Sequence, residues 1–141
     1  MADEAQPDED IIVRAVMRLA RELRHAAGPT ELTGAALGLL ATLHRDGAMS
    51  AVELAQREGL QPQSLSRLLA QLDKDRLIDR SVDDKDARRH VIVLTQSGLG
   101  ALARSIHRRR EWLADRMAER LNAEEQEALL DAAELMLRMA L

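Results

Sequence analysis

Residues 50–95 read SAVELAQREGLQPQSLSRLLAQLDKDRLIDRSVDDKDARRHVIVLT, two short helical patterns followed by two apolar runs that enclose a charged loop. The first pattern opens on Ser50-Ala51-Val52-Glu53, a capping box in which the Ser50 hydroxyl accepts from the Glu53 amide and the Glu53 carboxylate accepts from the Ser50 amide. A helix of about two turns follows, apolar at Val52, Leu54 and Ala55, and Gly59 stands where its end needs a residue that tolerates positive φ. After Leu60-Gln61, Pro62 suits the first position of a second helix, because its fixed φ is helical and its missing donor would go unpaired there. Two helices joined by a few residues containing Gly make a helix-turn-helix pattern.

In the second helix Leu65, Leu68, Leu69 and Leu72 recur at spacings of three and four and must face a core. The opposite face carries Gln61, Gln63, Ser64, Ser66, Arg67 and Gln71, side chains that hydrogen-bond to base edges or phosphates in a major groove. Gln and Ser are equally common on any solvated surface, so the segment that follows decides between the two readings. Leu77-Ile78 and Val91-Ile92-Val93-Leu94 are β-type runs, and Ser81 to His90 between them is too polar to pack. A hairpin with a long charged tip results, with Lys85, Arg88, Arg89 and His90 among Asp83, Asp84 and Asp86. Directly behind a helix-turn-helix, such a tip can lie along phosphates and put an Arg into the minor groove. The expected fold is therefore mainly α with a small β-wing, a winged helix-turn-helix. Its candidate DNA contacts are Gln61, Gln63, Ser64, Ser66, Arg67, Lys85, Asp86, Arg88 and Arg89.

The order Leu68-Leu69, Leu72, Leu77-Ile78, then Asp86-Ala87-Arg88 and Leu94-Thr95, resembles the multiple-antibiotic-resistance-regulator (MarR) family of bacterial transcription factors. The family's wing signature, Asp-x-Arg followed by a strand ending in Leu-Thr, is matched by DARRHVIVLT. The general layout matches over almost the whole chain, and the specific part is confined to residues 50–98. Two positions depart from the pattern: Arg76 stands where the family often has Gly, and Ala87 where it often has a second wing Arg. The second leaves Arg88 as the groove candidate, with Arg89 offset by one residue and expected on the other face of its strand. The resemblance implies a repressor, dimeric through its terminal helices, released by an anionic or amphipathic small molecule. It also implies a ligand pocket bounded by the first, second and fifth helices, for which Arg14, His44 and Trp112 are the candidate residues. Plain core packing is a simpler explanation of Trp112 than direct ligand contact.

The flanks have a layout of their own. Residues 10–27 read as a helix with Ile12, Val16, Leu19 and Leu23 on one stripe and Arg14, Arg18 and Arg21 on another, with Asp10–Arg14 and Arg18–Glu22 at pairing distance. Gly28-Pro29 ends it. Thr33 can cap a helix over about 34–45, apolar at Leu37, Leu40, Ala41 and either Leu43 or His44. Gly47 closes it, and Ala48-Met49 can form a short strand beside the wing. Thr95 is placed to cap a helix running to about Leu121, with Leu99, Leu102, Ile106, Leu113, Met117 and Leu121 along a seam. Asn122-Ala-Glu-Glu is a second capping box, opening a last helix over 123–140. These outer helices, about 10–27 and 96–140, are too long and too apolar for a compact head (about 34–95) to satisfy. Pairing them across a homodimer would present two recognition helices to a pseudopalindromic operator, whereas a monomer would wrap them around its own head.

A chain of 141 residues, 46% of them apolar, fits one domain with a real core, here 10–141 after an acidic tail at 1–9. There is no cysteine, which removes disulfides, thiol redox sensing and thiolate metal sites together. MADEAQPDED is the opposite of a signal peptide and no apolar run approaches membrane-spanning length, so a cytoplasmic protein without membrane contact is expected. The net charge of −4 argues against binding nucleic acid through bulk charge. The acidic excess lies in residues 3–10 and 124–134, but residues 57–90 are themselves nearly balanced, with eight Lys or Arg against seven Asp or Glu. That balance keeps open a competing class, a winged-helix protein-interaction or ligand-sensing module with little DNA affinity. No Gly-rich phosphate loop, no Cys nucleophile and no His-Glu-x-x-His is present, so neither an enzyme nor a cofactor is expected. His107 and Glu111, one helical turn apart, form a surface contact more readily than a metal site. With no Phe, no Tyr and one Trp, stacking on aromatic platforms is unavailable, which leaves duplex rather than single-stranded nucleic acid.

Overall fold

A computed structural model describes residues 7–28 and 32–140. Its elements run α1 (Asp8–Ala27), α2 (Gly34–Asp46), α3 (Ala51–Glu58), α4 (Pro62–Lys74), β1 (Ile78–Val82), β2 (His90–Leu94), α5 (Gln96–Arg120) and α6 (Ala123–Met139). They divide into two compact units, residues 27–107 and residues up to 26 together with 108 onwards. Among the described residues no helix is long and apolar enough to cross a membrane.

The first unit is built on caps the sequence specifies. Thr33 accepts from the Ala36 amide at 3.2 Å to start α2, and Gly47 closes it at φ 85°. Ser50 and Glu53 form the reciprocal capping box of α3, and Gly59 ends that helix in the left-handed region at φ 61°. Pro62 opens α4. Leu39, Leu40, Leu54, Leu65, Leu69, Leu72, Ile78, Ile92 and Leu102 meet in one core, with Leu68 partly buried against it. Leu39 is fully buried although the periodicity of α2 did not select it, and of the two alternatives at the end of that helix Leu43 is buried and His44 exposed. Two polar contacts fasten α2 to α3: the buried Thr42 hydroxyl donates to the Glu58 carboxylate, and Arg57 Nη1 pairs with Asp46 Oδ2 at 2.8 Å.

The wing is a two-stranded antiparallel sheet with register Ile78↔Leu94 through Val82↔His90. Strand β1 extends through Ser81 and Val82 and β2 begins at His90, residues that the polarity of the segment assigns to the loop. Only Ile78 of β1 is buried. Its exposed positions are held by backbone pairing to the apolar β2, so their side chains need not pack. Met49 adds a single bridge on the other side of β2, Ile92 N donating to Met49 O at 2.8 Å and Met49 N to Ile92 O at 3.3 Å.

Where α4 hands over to the wing, Arg76 adopts φ 58°, the left-handed conformation for which Gly is the usual residue. Thr95 closes this junction: its hydroxyl donates to Arg76 O at 2.7 Å and accepts from the Gly98 amide at 3.0 Å, capping α5. Gly98 is pressed against the backbone just before β1, for a Cβ there would lie 2.0 Å from the Leu77 carbonyl oxygen.

In the second unit α1 begins at Asp8, so Asp8 and Glu9 belong to its first turn, where carboxylates face the positive helix end, rather than to a tail. Residues 1–6 of that expected tail, and the Pro29 of the helix stop, lie outside the described residues; Gly28 has φ 88°. Glu22 pairs with Arg21 at 3.7 Å in place of the expected Arg18. Leu19 shares a small apolar cleft with Leu113, Met117, Leu121 and Leu129. Asn122 and Glu125 form the second reciprocal capping box, and no residue of α6 is buried.

Candidate nucleic-acid interface

The recognition helix α4 splits cleanly along its length. Leu65, Leu69 and Leu72 point into the core, while Gln61, Gln63, Ser64, Ser66 and Arg67 are exposed. Gln61 is the N-cap residue but makes no side-chain cap hydrogen bond, so its amide is available beside Gln63 and Ser64 at the start of the helix. Gln71, further along, donates to Asp75 at 3.0 Å.

The wing tip spans Asp83 to Arg89, and its acidic residues act chiefly on the backbone. Asp83 N donates to Arg89 O at 2.8 Å, closing the loop base, and Asp83 Oδ1 accepts from the Lys85 amide at 3.0 Å. Asp86 Oδ1 accepts from the Arg88 amide at 3.0 Å, while Arg89 N donates to Asp86 O at 3.0 Å. These are turns in which a short carboxylate substitutes for a backbone acceptor. Hence the mixed charge of the tip: its cations are displayed on turns that its anions fold.

Arg88 and Arg89, adjacent in sequence, have different surroundings. The Arg88 side chain is 97% exposed, and its nearest partner is Asp86 Oδ1, 3.9 Å from Nε. An ion pair that long and that exposed contributes little, so the guanidinium is displayed. Ala87 and Arg88 form a turn, so Asp86 holds the Arg88 amide rather than its guanidinium. Arg89 is 41% exposed; it pairs with Glu53 of α3 and, through Nε, with Asp83 Oδ2 at 3.4 Å. It precedes β2 rather than lying on a strand face, because the strand begins at His90. Glu53, which the sequence shows only as half of a capping box, is thus also a wing contact. The Ser50 amide, and then Arg89, hold its carboxyl below the ordinary glutamate range.

The ligand candidates fall in separate units. His44 is exposed on the last turn of α2, whereas Arg14 and Trp112 belong to the other unit. Arg14 lines a shallow cleft of about 620 Å³ along α1 with Asp10, Met17, Arg18 and Arg21, and Trp112 is half-buried with the Arg116 guanidinium 5.7 Å from its ring centre. The head has an open cleft of about 390 Å³ of its own, lined by Leu32, Leu68, Gln71, Asp75, Ala101 and Arg104 among others. Among the described residues no group of three or more His, Asp or Glu could hold a metal ion.

A polar-faced second helix, a core-anchored first helix and a hairpin with a charged tip directly behind them define a winged helix-turn-helix protein. The MarR family model matches residues 30–89. An HTH-type transcriptional regulator of Mycobacterium tuberculosis is 37% identical over 125 residues, covering 89% of this chain and 87% of that protein. In fold, the chain is similar to wild-type MarR of Escherichia coli in its apo form (TM-score 0.80, 22% identity, 99% of each chain). It is similar also to PcaV of Streptomyces coelicolor, solved in complex with its natural ligand (TM-score 0.68, 21% identity, 100% of this chain and 99% of that one). The chain belongs to the MarR family of bacterial helix-turn-helix transcriptional regulators, and it is not an enzyme.

Proposed function

We propose that residues 10–141 work as one domain of a homodimeric, sequence-specific repressor that binds a pseudopalindromic duplex operator in the cytoplasm and is released by a small anionic or amphipathic molecule. The observation that carries this reading is the pair of surfaces in the 27–107 unit: the exposed Gln63-Ser64-Arg67 face of α4 and the unshielded Arg88 at the wing tip. The helix supplies side chains for base edges, and the wing supplies a cation for a narrow minor groove. Dimerisation is supported by exposed apolar side chains on both terminal helices, including Ile11, Ile12, Val13, Val16 and Met17 on α1 and Leu130, Leu135, Leu137 and Met139 on α6. Release by a ligand is supported by the family and by PcaV having been solved with one. Arg14, His44 and Trp112 are the residues proposed to meet the ligand here.

Sequencing the fragments that the protein retains from fragmented genomic DNA, followed by a salt titration on the recovered site and on random duplex, tests the proposal. A DNA reader gives a steep negative log–log slope with salt and prefers the recovered site by about 10³-fold or more. The near balance of charge in residues 57–90 favours a second reading, a winged-helix interaction or sensing module. A flat salt response with no enriched fragment would establish that second reading. A small aromatic acid that quenches Trp112 while it releases DNA would support ligand control, and thiol-specific oxidants should do nothing to a chain without cysteine.

A further inference from the structure

Arg89 is built into the protein in a way that sets it apart from the other cations of the wing. Its guanidinium reaches across to the Glu53 carboxylate, 36 residues earlier in the chain, and to Asp83 on the opposite arm of the hairpin. Glu53 is fixed in turn, because the same Oε2 accepts from the Ser50 amide at 2.8 Å. The Met49–Ile92 bridge carries the start of α3 alongside β2 and so brings these groups together. Three parts of the head, the N-terminus of α3 and both arms of the wing, therefore converge on one guanidinium. A two-stranded ribbon with a long tip has little packing of its own to fix its angle, and Arg88 stands one residue beyond this anchor.

We propose that Arg89 and Glu53 are positioning residues for DNA binding: Arg89 does not contact DNA but ties the wing tip to α3, so that the tip presents Arg88 to the minor groove at a fixed angle. The inference rests on the DNA-binding reading given above. It assigns an affinity role to an acidic side chain, where simple electrostatics would have Glu53 repel phosphate. Asp83 and Glu53 consume the charge of Arg89, so the tether adds no counterion release of its own, and Arg88 supplies the salt dependence of this part of the wing.

The test uses Glu53→Gln, Arg89→Gln, the double variant and Arg88→Ala in the full-length protein. Gln at position 53 keeps the capping box, which accepts Glu or Gln, and removes only the charge that holds Arg89. Amide hydrogen exchange of residues 83–90 in the free protein reads the tether without DNA: Glu53→Gln and Arg89→Gln should both accelerate it, while Arg88→Ala should not. Operator affinity should fall about two- to fivefold per half-site for either Gln variant, the size expected of a half-exposed ion pair, and the double variant should be no worse than the single ones. The salt slope should stay unchanged for both, whereas Arg88→Ala should lower it by about one per half-site. Unchanged wing exchange in Glu53→Gln would overturn the tether. Faster exchange together with a reduced slope for Arg89→Gln, or additive losses in the double variant, would make Arg89 a direct phosphate contact and overturn the positioning role. Wild-type protein that binds no duplex at all, with wing exchange still responding to Glu53→Gln, would remove the DNA reading and leave the tether standing.

Discussion

Single residues carry the sharpest consequences in the wing and at its root. Asp86→Ala removes a negative charge from a surface meant to meet phosphate, yet it should weaken DNA binding, because Asp86 folds the turn that displays Arg88 by accepting from its amide at 3.0 Å. A tighter complex in a filter-binding or anisotropy titration would mean that Asp86 matters only through its charge. Arg76→Gly should stabilise the fold by about 0.5–1 kcal/mol in urea unfolding, since relief of a left-handed φ in a residue with a Cβ outweighs the extra freedom of Gly in the unfolded chain. The φ of 58° falls at the position where the family pattern often has Gly, the residue that this conformation favours. Arg88 stands as the groove candidate through the resemblance of Asp86-Ala87-Arg88 to the family's wing signature. Arg89 is set apart in the sequence only by its offset of one residue; its partner is not legible there, because the Glu53 carboxylate lies 36 residues away and is brought near by the bridge at Met49, where the sequence suggests only a short strand beside the wing.

Between elements, the joint from recognition helix to long helix is the least forgiving place. Thr95 links the Arg76 carbonyl to the first turn of α5, and Gly98 lets the α5 backbone meet Leu77 O. A Cβ at 2.0 Å from that oxygen cannot be absorbed by a flexible side chain, so Gly98→Ala must part α5 from the Leu77 backbone that leads into β1. A loss of about 2–3 kcal/mol in urea unfolding is expected, at the upper end of overpacking costs. A loss below about 0.5 kcal/mol would show that the joint yields freely. Most helix boundaries in the head are legible because each is marked by a residue with a local job: Thr33, Gly47, Ser50, Gly59, Pro62 and Thr95; the end of α4 is not, since Arg76 stands where a Gly would mark it. What stayed hidden were features set by neighbours rather than by the segment itself. Strand β1 continues through Ser81 and Val82 because β2 offers it a backbone ladder, and Leu39 is buried because α2 is covered on more sides than one amphipathic stripe implies. The Glu53 box adds a pH dependence of known sign. Its carboxyl is held below the ordinary glutamate range, so its contribution is present at and above that range and is lost as pH falls through the lowered value in the folded protein. This contribution should therefore be lost only in acid, and Glu53→Gln should flatten that part of the profile.

For the molecule as a whole, the unexplained quantity is apolar surface on the terminal helices. Along α6, Leu130, Leu135, Leu137 and Met139 are each more than half exposed, and Val13 and Met17 are likewise on α1. The sequence already carried this excess, since the stripes at both ends were longer than a head could cover; what covers them was not legible, because a stripe of Leu and Met specifies depth of burial and not a partner. If a second copy buries the four α6 side chains, the gain at about 1.5–3 kcal/mol for a fully buried one, scaled to the half or more that is exposed, is on the order of 4–8 kcal/mol per chain. For the two chains of a dimer that is about 10⁶- to 10¹²-fold in dissociation before the entropic cost of association, far more than surface ion pairs supply. Removing residues 123–141 should therefore turn a dimer into monomers at micromolar concentration in sedimentation velocity. The core of residues 27–107, with Leu39, Leu40, Leu54 and Leu72 intact, should still melt cooperatively. Operator binding should collapse toward that of a single half-site, because two recognition helices held at a fixed spacing gain the second contact almost without translational cost. A truncated protein that remained dimeric and bound the full operator normally would place the interface elsewhere and leave the exposed face of α6 for another partner.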